Sequence, residues 1–167
     1  MIKLFTVIIC IKLKLLSNLK KGGINMKENI NALDEIHKGA FMGMDAISFV
    51  MDKVEDDNLK NVLTKMDKDY KTIASEIERL YPKYNNDEPH KTTTMNKIMT
   101  WSDIEMKTFN DKSTSKITEL LLQGVNMGII EGKKILNNKE IAQDVNDIVS
   151  KYVAMQEKSV EVLKQYL

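Results

Sequence analysis

The chain has 167 residues, with 25 lysines and arginines against 24 aspartates and glutamates and a formal net charge of +1. So balanced a charge argues against the clustered basic face that nucleic-acid binding needs. The single cysteine, Cys10, excludes a disulfide within the chain and a metal site built from cysteines. Met26 to Leu167 is one domain's length, and the prolines number only two, Pro82 and Pro89, which favours an all-α fold.

The stretch from Lys20 to Met26, KKGGINM, reads like translated leader RNA. Its codons can spell the purine-rich sequence AAA-GGA-GGU, an AU-rich spacer and the start codon AUG. The chain has twenty-four lysines and one arginine, Arg79, with much Asn and Ile, a bias typical of an AT-rich bacterial genome. We therefore predict that translation starts at Met26 and that residues 1–25 are a mis-assigned start or a disordered N-terminal extension.

Residues 1–25 have two other interpretations, a secretory or anchoring segment and an additional folded helix. The apolar run Leu4–Ile11 is short for a secretory core, Lys12 and Lys14 prevent it from extending further, and no small-x-small cleavage site comes after it. The run also falls below the roughly 18–20 apolar residues that a membrane helix needs. We expect a cytoplasmic protein without membrane attachment if the chain starts at Met26, and a surface-anchored one only if residues 1–25 are genuine.

Two rows of mostly apolar residues predict a first helix over about residues 28–54. Asp56 or Asp57 can cap a second helix, which should end near Tyr81 because Pro82 disfavours helical geometry in the residue before it. Within each row of the first helix the residues are seven positions apart, and the apolar residues of the second helix follow one another at steps of four and three. They are Ile30, His37, Met44 and Met51, then Leu33, Ala40, Ile47 and Val54, and on the second helix Leu59, Leu63, Met66, Tyr70, Ile73, Ile77, Leu80 and Tyr84.

The second half of the chain repeats this plan. Adding eighty-two to the numbers of the eight apolar positions of the second helix gives eight positions near the end of the chain. Seven of these are apolar or aromatic, and both tyrosines match. A third helix is predicted over about residues 114–136, with Asn137 in the left-handed conformation at its end and Asn138 as the cap of a fourth helix. Two such hairpins would bury their apolar faces against each other as a four-helix bundle. The matching positions of the fourth helix are Ile141, Val145, Ile148, Tyr152, Met155, Ser159, Val162 and Tyr166.

Residues 82–113 connect the two hairpins and are long enough to cross the bundle from end to end. Within them, the stretch TTTMNKIMTWSDIEMKTF predicts a short extra helix whose apolar side chains cover more than one face. We expect this crossover helix either to pack over the open side of the bundle or to form an interaction surface for a protein partner or a second copy, since methionine-rich faces adapt to varied partners. The residues of that surface are Met95, Met99, Trp101, Met106 and Phe109.

Two helical hairpins joined by a long crossover resemble the ferritin-like superfamily over Met26–Leu167. The resemblance is architectural, and it implies an all-α four-helix bundle. It also implies where a metal would be sought, because ferritin-like di-iron proteins carry Glu on two helices and Glu-x-x-His on the other two. Glu-x-x-His does not occur in this sequence, so we expect a bundle without a metal or another cofactor.

Three residues are candidates for a reduced metal site, His37, Asp45 and Glu131. Asp45 and Glu131 lie in the middle of the first and third helices, and His37 falls on a core row. In the alternative of a metal- or redox-active relative, Tyr70 and Tyr152 lie near these ligands. The favoured interpretation is a buried imidazole bonded to one of the two tyrosines or to a backbone carbonyl, with both carboxylates at the margin of the core.

Glycines occur at matching places in the first and third helices, Gly39 and Gly43 in one and Gly124 and Gly128 in the other. A glycine in the middle of a helix costs up to ~1 kcal/mol relative to alanine, so a repeated cost needs a common cause. One cause is a close crossing of the two helices near Gly43 and Gly128. The alternative is room for neighbouring Met and Tyr side chains.

The sequence contains no Gly-rich phosphate loop and no motif around a serine or cysteine nucleophile. We therefore expect a non-enzymatic bundle with a structural or protein-interaction role, as a homo-oligomer or as a spore- or stress-associated bacterial protein. The alternative is the metal- or redox-active relative described above.

Overall fold

A computed structural model describes residue 25 to residue 87, residue 89, and residues 113–167 of the chain. The predicted crossover helix and residues 1–24 lie outside this part. The described residues are helical, without a strand, as the sequence predicts. They form the helices α1 (Met26–Met51), α2 (Asp57–Leu80), α3 (Thr114–Asn138) and α4 (Gln143–Leu163), and short 3₁₀ turns at Tyr81–Lys83 and Lys164–Tyr166.

The ends of α1, α2 and α3 follow from local capping chemistry. The side chain of Asp56 accepts from the backbone N–H groups of Asn58 and Leu59 at 2.7 and 3.0 Å, which confirms it as the cap of α2. Asn25 and Ser113 cap α1 and α3 in the same way. α2 gives way to a 3₁₀ turn at Tyr81, next to the proline that was expected to end it.

The start of α4 differs from the prediction. α3 continues through Asn138, no described residue other than glycine has a positive φ, and α4 begins after Ala142 without a side-chain cap of its own. The reason is a buried residue of α1, since Asn29 accepts from the backbone N–H of Ala142 at 2.7 Å and donates to the carbonyl of Asn25 at 2.9 Å. One amide thus joins the first turns of α1 and α4.

Replacing Asn29 with alanine should lower the free energy of unfolding by about 1–2 kcal/mol, because the N–H of Ala142 loses its acceptor. Thermal unfolding would detect this loss as a fall of about 2–4 °C in Tm for each kcal/mol. Asn126→Ala is a matched control, because the amide of Asn126 is exposed and bonds only the carbonyl of Leu122 in its own helix, at 2.9 Å. Equal shifts for the two variants would show that Asn29 does not act as a cap between helices.

Hydrogen bonds show which way each helix runs. α1 and α4 begin at the same end of the molecule, where Asn29 joins them. α2 ends there too, since the hydroxyl of Tyr81 donates to Asp34 at 2.8 Å. α3 ends there as well, because Lys139, next after it, pairs with Glu35 at 3.4 Å. α2 and α3 therefore run in the same direction, so the chain between them connects opposite ends of helices that are roughly 36 Å long.

The core lies between the helices and differs from the prediction mainly on α4. α1 packs against α2, α3 and α4, and α4 packs against all three others. The buried stripe of α4 is offset by about one position from the row obtained from the shift by eighty-two residues. That row includes Ile148, Met155 and Val162, which are only partly buried, and it omits the buried residues Val149, Val153, Gln156 and Leu163.

On the other helices the predicted core holds more closely. Leu33, Ala40, Ile47 and Val54 form one buried row of the predicted first helix. In its other row His37 is buried, whereas Ile30, Met44 and Met51 are only partly buried. On α2 the predicted row is buried from Leu59 to Ile77, and only Leu80 is partly exposed before the buried Tyr84. None of the described helices combines the length and the apolar run that crossing a membrane requires.

Candidate functional site

The predicted interaction surface on the crossover helix lies outside the described residues. Met95, Met99, Trp101, Met106 and Phe109 therefore carry no structural observation, and their role stays a prediction. The other candidate residues all fall on α1 and α3.

His37 is buried on the core face of α1, but its predicted hydrogen-bond partner is wrong. Its Nε2 lies 3.3 Å from Oε1 of Glu78 on α2, and its ring packs against Phe41 with the centroids 4.8 Å apart. Neither tyrosine bonds to the imidazole, and both bond to Gln156 instead. The imidazole therefore links α1 to a half-exposed carboxylate of α2.

The other two metal candidates do not join His37. Glu131 is exposed and pairs with Lys134 at 2.7 Å, one turn along its own helix. Asp45 is exposed as well, and neighbouring protein atoms that shield its carboxyl from water raise its pKa. Across residues 25–87, 89 and 113–167, no group of three or more His, Cys, Asp or Glu side chains comes together in a way that could hold a metal ion.

A cavity of about 530 Å³ opens between α1 and α3. This volume lies within the range of about 300–1,000 Å³ that is typical of small-molecule sites. The walls are formed by backbone at the glycines and by aliphatic and methionine side chains, and the floor is formed by three polar side chains from α2 and α4. The lining includes Ile36, Met42, Ala46, Ile47, Met66, Leu120, Leu121, Val125 and Met127 on the walls, Tyr70, Tyr152 and Gln156 on the floor, and Glu35, Lys38 and Glu131 among the charged side chains.

The floor is a hydrogen-bonded chain of two phenols and one amide. The hydroxyl of Tyr70 donates to Oε1 of Gln156 at 2.7 Å, and Nε2 of Gln156 donates to the hydroxyl of Tyr152 at 2.9 Å. All three side chains are buried, with 2–3 % of their surface exposed. The chain joins α2 to α4 beneath the space between α1 and α3, so the cavity floor is fixed in place by both helices.

Burial keeps both phenols protonated far above neutral pH. Loss of solvent raises the pKa of Tyr152 to about 12, in spite of the opposing hydrogen bond from Gln156. Burial also raises the pKa of Tyr70, and the nearby Tyr152 raises it further. The floor therefore consists of neutral hydrogen-bonding groups in the physiological range, and neither phenol can act there as a base.

Stability should fall as the pH rises above 10. The unfolded chain loses its phenol protons near pH 10, whereas Tyr152 holds its proton to about pH 12 in the folded chain, so the unfolded state binds fewer protons in this interval. The phenol's contribution to stability is complete below pH 10 and declines by about 1.4 kcal/mol per pH unit above it. Urea unfolding at pH 9, 10 and 11 gives the free energy of unfolding at each pH. Above pH 10, this free energy should fall less steeply with pH in Tyr152→Phe than in the wild type, by about 1.4 kcal/mol per pH unit. An equal pH dependence of the free energy of unfolding in the wild type and in Tyr152→Phe would contradict the raised pKa of Tyr152.

The glycines of α1 make room for the floor. A methyl group built on Gly43 would lie within 3 Å of the ring of Tyr70, and one built on Gly39 would lie 2.7 Å from the hydroxyl of Tyr152. These contacts agree with the alternative interpretation, in which the glycines leave space for tyrosine side chains. They explain both glycines without a close crossing of α1 and α3 near Gly43, which stays a prediction.

The two glycines of α3 differ from each other. Gly128 lies against the amide of Gln156 and against the hydroxyl of Tyr152, which is 2.6 Å from the position of an added methyl group. Gly124 has no such neighbour within 4 Å, so no contact supports its expected place at a helix crossing, which stays a prediction. It faces the cavity instead. Gly124 is the one glycine of the four whose small size no packed side chain requires.

Comparison with known proteins adds no family to this geometry. Neither the protein-family models, nor the curated proteins, nor the solved structures gave a significant match. The cavity must therefore be interpreted from its own residues.

Gln156 is the residue of the cavity floor that the sequence did not reveal. The steps of four and three selected Met155 and Ser159, which flank it, and a glutamine beside such a row is more often at the surface. The available signal was the pair of matched tyrosines, since a buried phenol needs a hydrogen-bond partner.

Proposed function

We propose that this chain is a non-enzymatic binding protein that takes up a small, mostly apolar molecule in the cavity between α1 and α3. The observation that supports the proposal most directly is the cavity itself. It has the volume of a small-molecule site, mostly apolar walls and a few convergent polar groups, which is the usual composition of such sites.

We also propose that the scaffold is a four-helix bundle of ferritin-like plan, built from two repeated hairpins. Two observations support this. The pairs α1–α2, α2–α4, α4–α3 and α3–α1 run antiparallel, whereas α1 and α4, which also pack together, run parallel. With a connection between opposite ends, this agrees with the plan of a bundle with one long crossover. In each hairpin, moreover, a glycine of the first helix contacts a tyrosine of the second, Gly43 with Tyr70 and Gly128 with Tyr152.

A non-enzymatic role agrees with the chemistry of the cavity floor. The floor offers an amide and two phenols that stay protonated, and none of these is a nucleophile or a base at neutral pH. The metal- or redox-active alternative has less support, since its three proposed ligands do not converge in the described part of the chain. A protein-interaction role of the crossover helix, a homo-oligomer, a spore or stress setting and a cytoplasmic location stay predictions of the sequence.

A titration with the neutral fluorescent dye Nile red would test the proposed function, because its emission rises in an apolar site. The cavity can be filled from the wall with Gly124→Leu, which meets open space and so leaves the fold intact. We expect this variant to weaken dye binding at least about tenfold, by removing the space that the dye occupies. Gln123→Leu is the control, since Gln123 is the exposed neighbour on the same helix and does not line the cavity.

The variants separate the cavity from other surfaces. If Gly124→Leu folds and binds the dye as the wild type does, the dye lies elsewhere and the proposal fails. If the wild type shows no saturable binding, the proposal fails as well.

A further inference from the structure

The hydrogen-bonded floor has donors to spare. Tyr70, Tyr152 and Gln156 together carry four polar hydrogens, one on each hydroxyl and two on the amide nitrogen. The two hydrogen bonds of the chain use one hydrogen of Tyr70 and one of Gln156. No described residue accepts from the hydroxyl of Tyr152 or from the second N–H of Gln156. A buried donor without an acceptor costs more free energy than a buried carbonyl oxygen that accepts one hydrogen bond instead of two. A ligand that brings an acceptor to the floor would therefore be bound favourably.

The spare hydroxyl is packed between the glycine backbones of α1 and α3, in a side chain that lines the cavity. It sits between α1 and α3, since methyl groups built on Gly39 and on Gly128 would lie 2.7 and 2.6 Å from it. Any larger residue at either position would occupy the space around this oxygen. Tyr152 also lines the cavity, although only 2 % of its surface is exposed. The donor is therefore buried, and it belongs to a side chain at the base of the cavity.

The surroundings of the hydroxyl suit a neutral aromatic molecule. The floor itself has no cationic residue, and the charged residues of the lining are two carboxylates, Glu35 and Glu131, and one cation, Lys38, so burying a further carboxylate next to Tyr152 would be unfavourable. The methionines Met42, Met66 and Met127 offer flexible, polarizable contacts that suit aromatic rings. Gly124 faces open space on the wall formed by α3, which gives a flat ring room beside it.

We propose that the cavity binds neutral aromatic carbonyl compounds, with the carbonyl oxygen accepting a hydrogen bond from the hydroxyl of Tyr152. This inference rests on the proposed function of the cavity and names the class of molecule that it takes. The carbonyl lies at the floor and the ring system lies between α1 and α3, against Gly124.

A pair of matched probes separates the carbonyl from the ring. Fluorenone and fluorene share one flat skeleton, and only fluorenone has an acceptor. Displacement of Nile red from the full-length protein should show that fluorenone binds about five- to tenfold more tightly, the effect of one net hydrogen bond. In Tyr152→Phe the two probes should bind equally. In Tyr166→Phe, a tyrosine outside the cavity lining, the ratio should stay as in the wild type.

Each outcome decides between the two levels of the proposal. If both probes bind the wild type equally, the acceptor inference fails and the binding function stands. If neither binds and Nile red does not either, both fail. A preference for fluorenone that persists in Tyr152→Phe would overturn the role of Tyr152. Tighter binding of 9-fluorenecarboxylate than of fluorenone would overturn the choice of a neutral ligand. Comparing ratios within one variant cancels any general effect of the substitution on folding.

Discussion

Replacing Gln156 with leucine should lower the free energy of unfolding by about 2–5 kcal/mol, the largest effect that we expect from a change on the cavity floor. Leucine keeps most of the volume of the side chain, so little of the loss comes from packing. The loss comes from Tyr70 and Tyr152, which both bond to this amide and would both be left without their partner in the core. A buried polar group without a partner costs about 1–3 kcal/mol.

Urea unfolding would measure this loss as a lower midpoint at constant slope. Gln143→Leu is the matched control on the same helix, because Gln143 is exposed and donates at 2.8 Å to Asp147 in its own helix. Its effect should stay within about 0.5 kcal/mol, as for most surface substitutions.

The triple variant Tyr70→Phe, Tyr152→Phe, Gln156→Leu tests the cause. Removing every polar group of the floor leaves none unsatisfied, and replacing all partners by apolar groups of similar shape can be nearly neutral. The triple variant should therefore be more stable than Gln156→Leu alone. A triple variant that is less stable would show that the loss comes from packing and not from the phenols.

The sequence was sufficient for the helices because their signals are local. Steps of four and three place Tyr70 in the core of α2, and Asp56 is recognisable as a cap because the residues it binds are two and three positions away. Such signals need no knowledge of what lies opposite. The same is true of the change at Tyr81, since Pro82 acts on the residue before it.

The errors concern contacts between residues that are far apart in the chain. Asn29 and Ala142 are 113 positions apart, so no local pattern could show that α4 is capped by α1. Gln156 reaches Tyr70 across 86 positions, and His37 reaches Glu78 across 41. In each case the residue type indicated that a partner was needed, but the identity of the partner depended on how the helices pack.

The glycines also show that a sequence pattern can indicate a packing requirement without identifying the packing partner. Their spacing indicated correctly that something beyond α1 and α3 requires small residues, but it was compatible with an opposing helix and with an opposing side chain. The structure separates the four cases, because Gly39, Gly43 and Gly128 each face a floor side chain and Gly124 faces open space. Repetition alone would have treated the four glycines as equivalent, although all line the cavity and only Gly124 faces open space in it.

Replacing Gly43 with leucine should therefore lower the free energy of unfolding by about 3 kcal/mol, at the upper end of the range for overpacked cores. Its first side-chain carbon would lie within 3 Å of several ring atoms of Tyr70. The ring cannot easily move away, because it is 3 % exposed and its hydroxyl is held by Gln156. The better helix propensity of leucine offsets less than ~1 kcal/mol of the strain.

The same substitution at Gly124 should have the opposite sign. A side chain there meets no atom within 4 Å at its first carbon, so Gly124→Leu gains helix propensity and should raise the thermal midpoint. The double variant Gly43→Leu, Tyr70→Ala identifies the cause at the other site, since without the ring the added leucine should cost far less than it does alone. Equal destabilisation at Gly43 and Gly124 would mean that α3 closes on α1 and that the space between them, on which the binding proposal depends, is filled in solution.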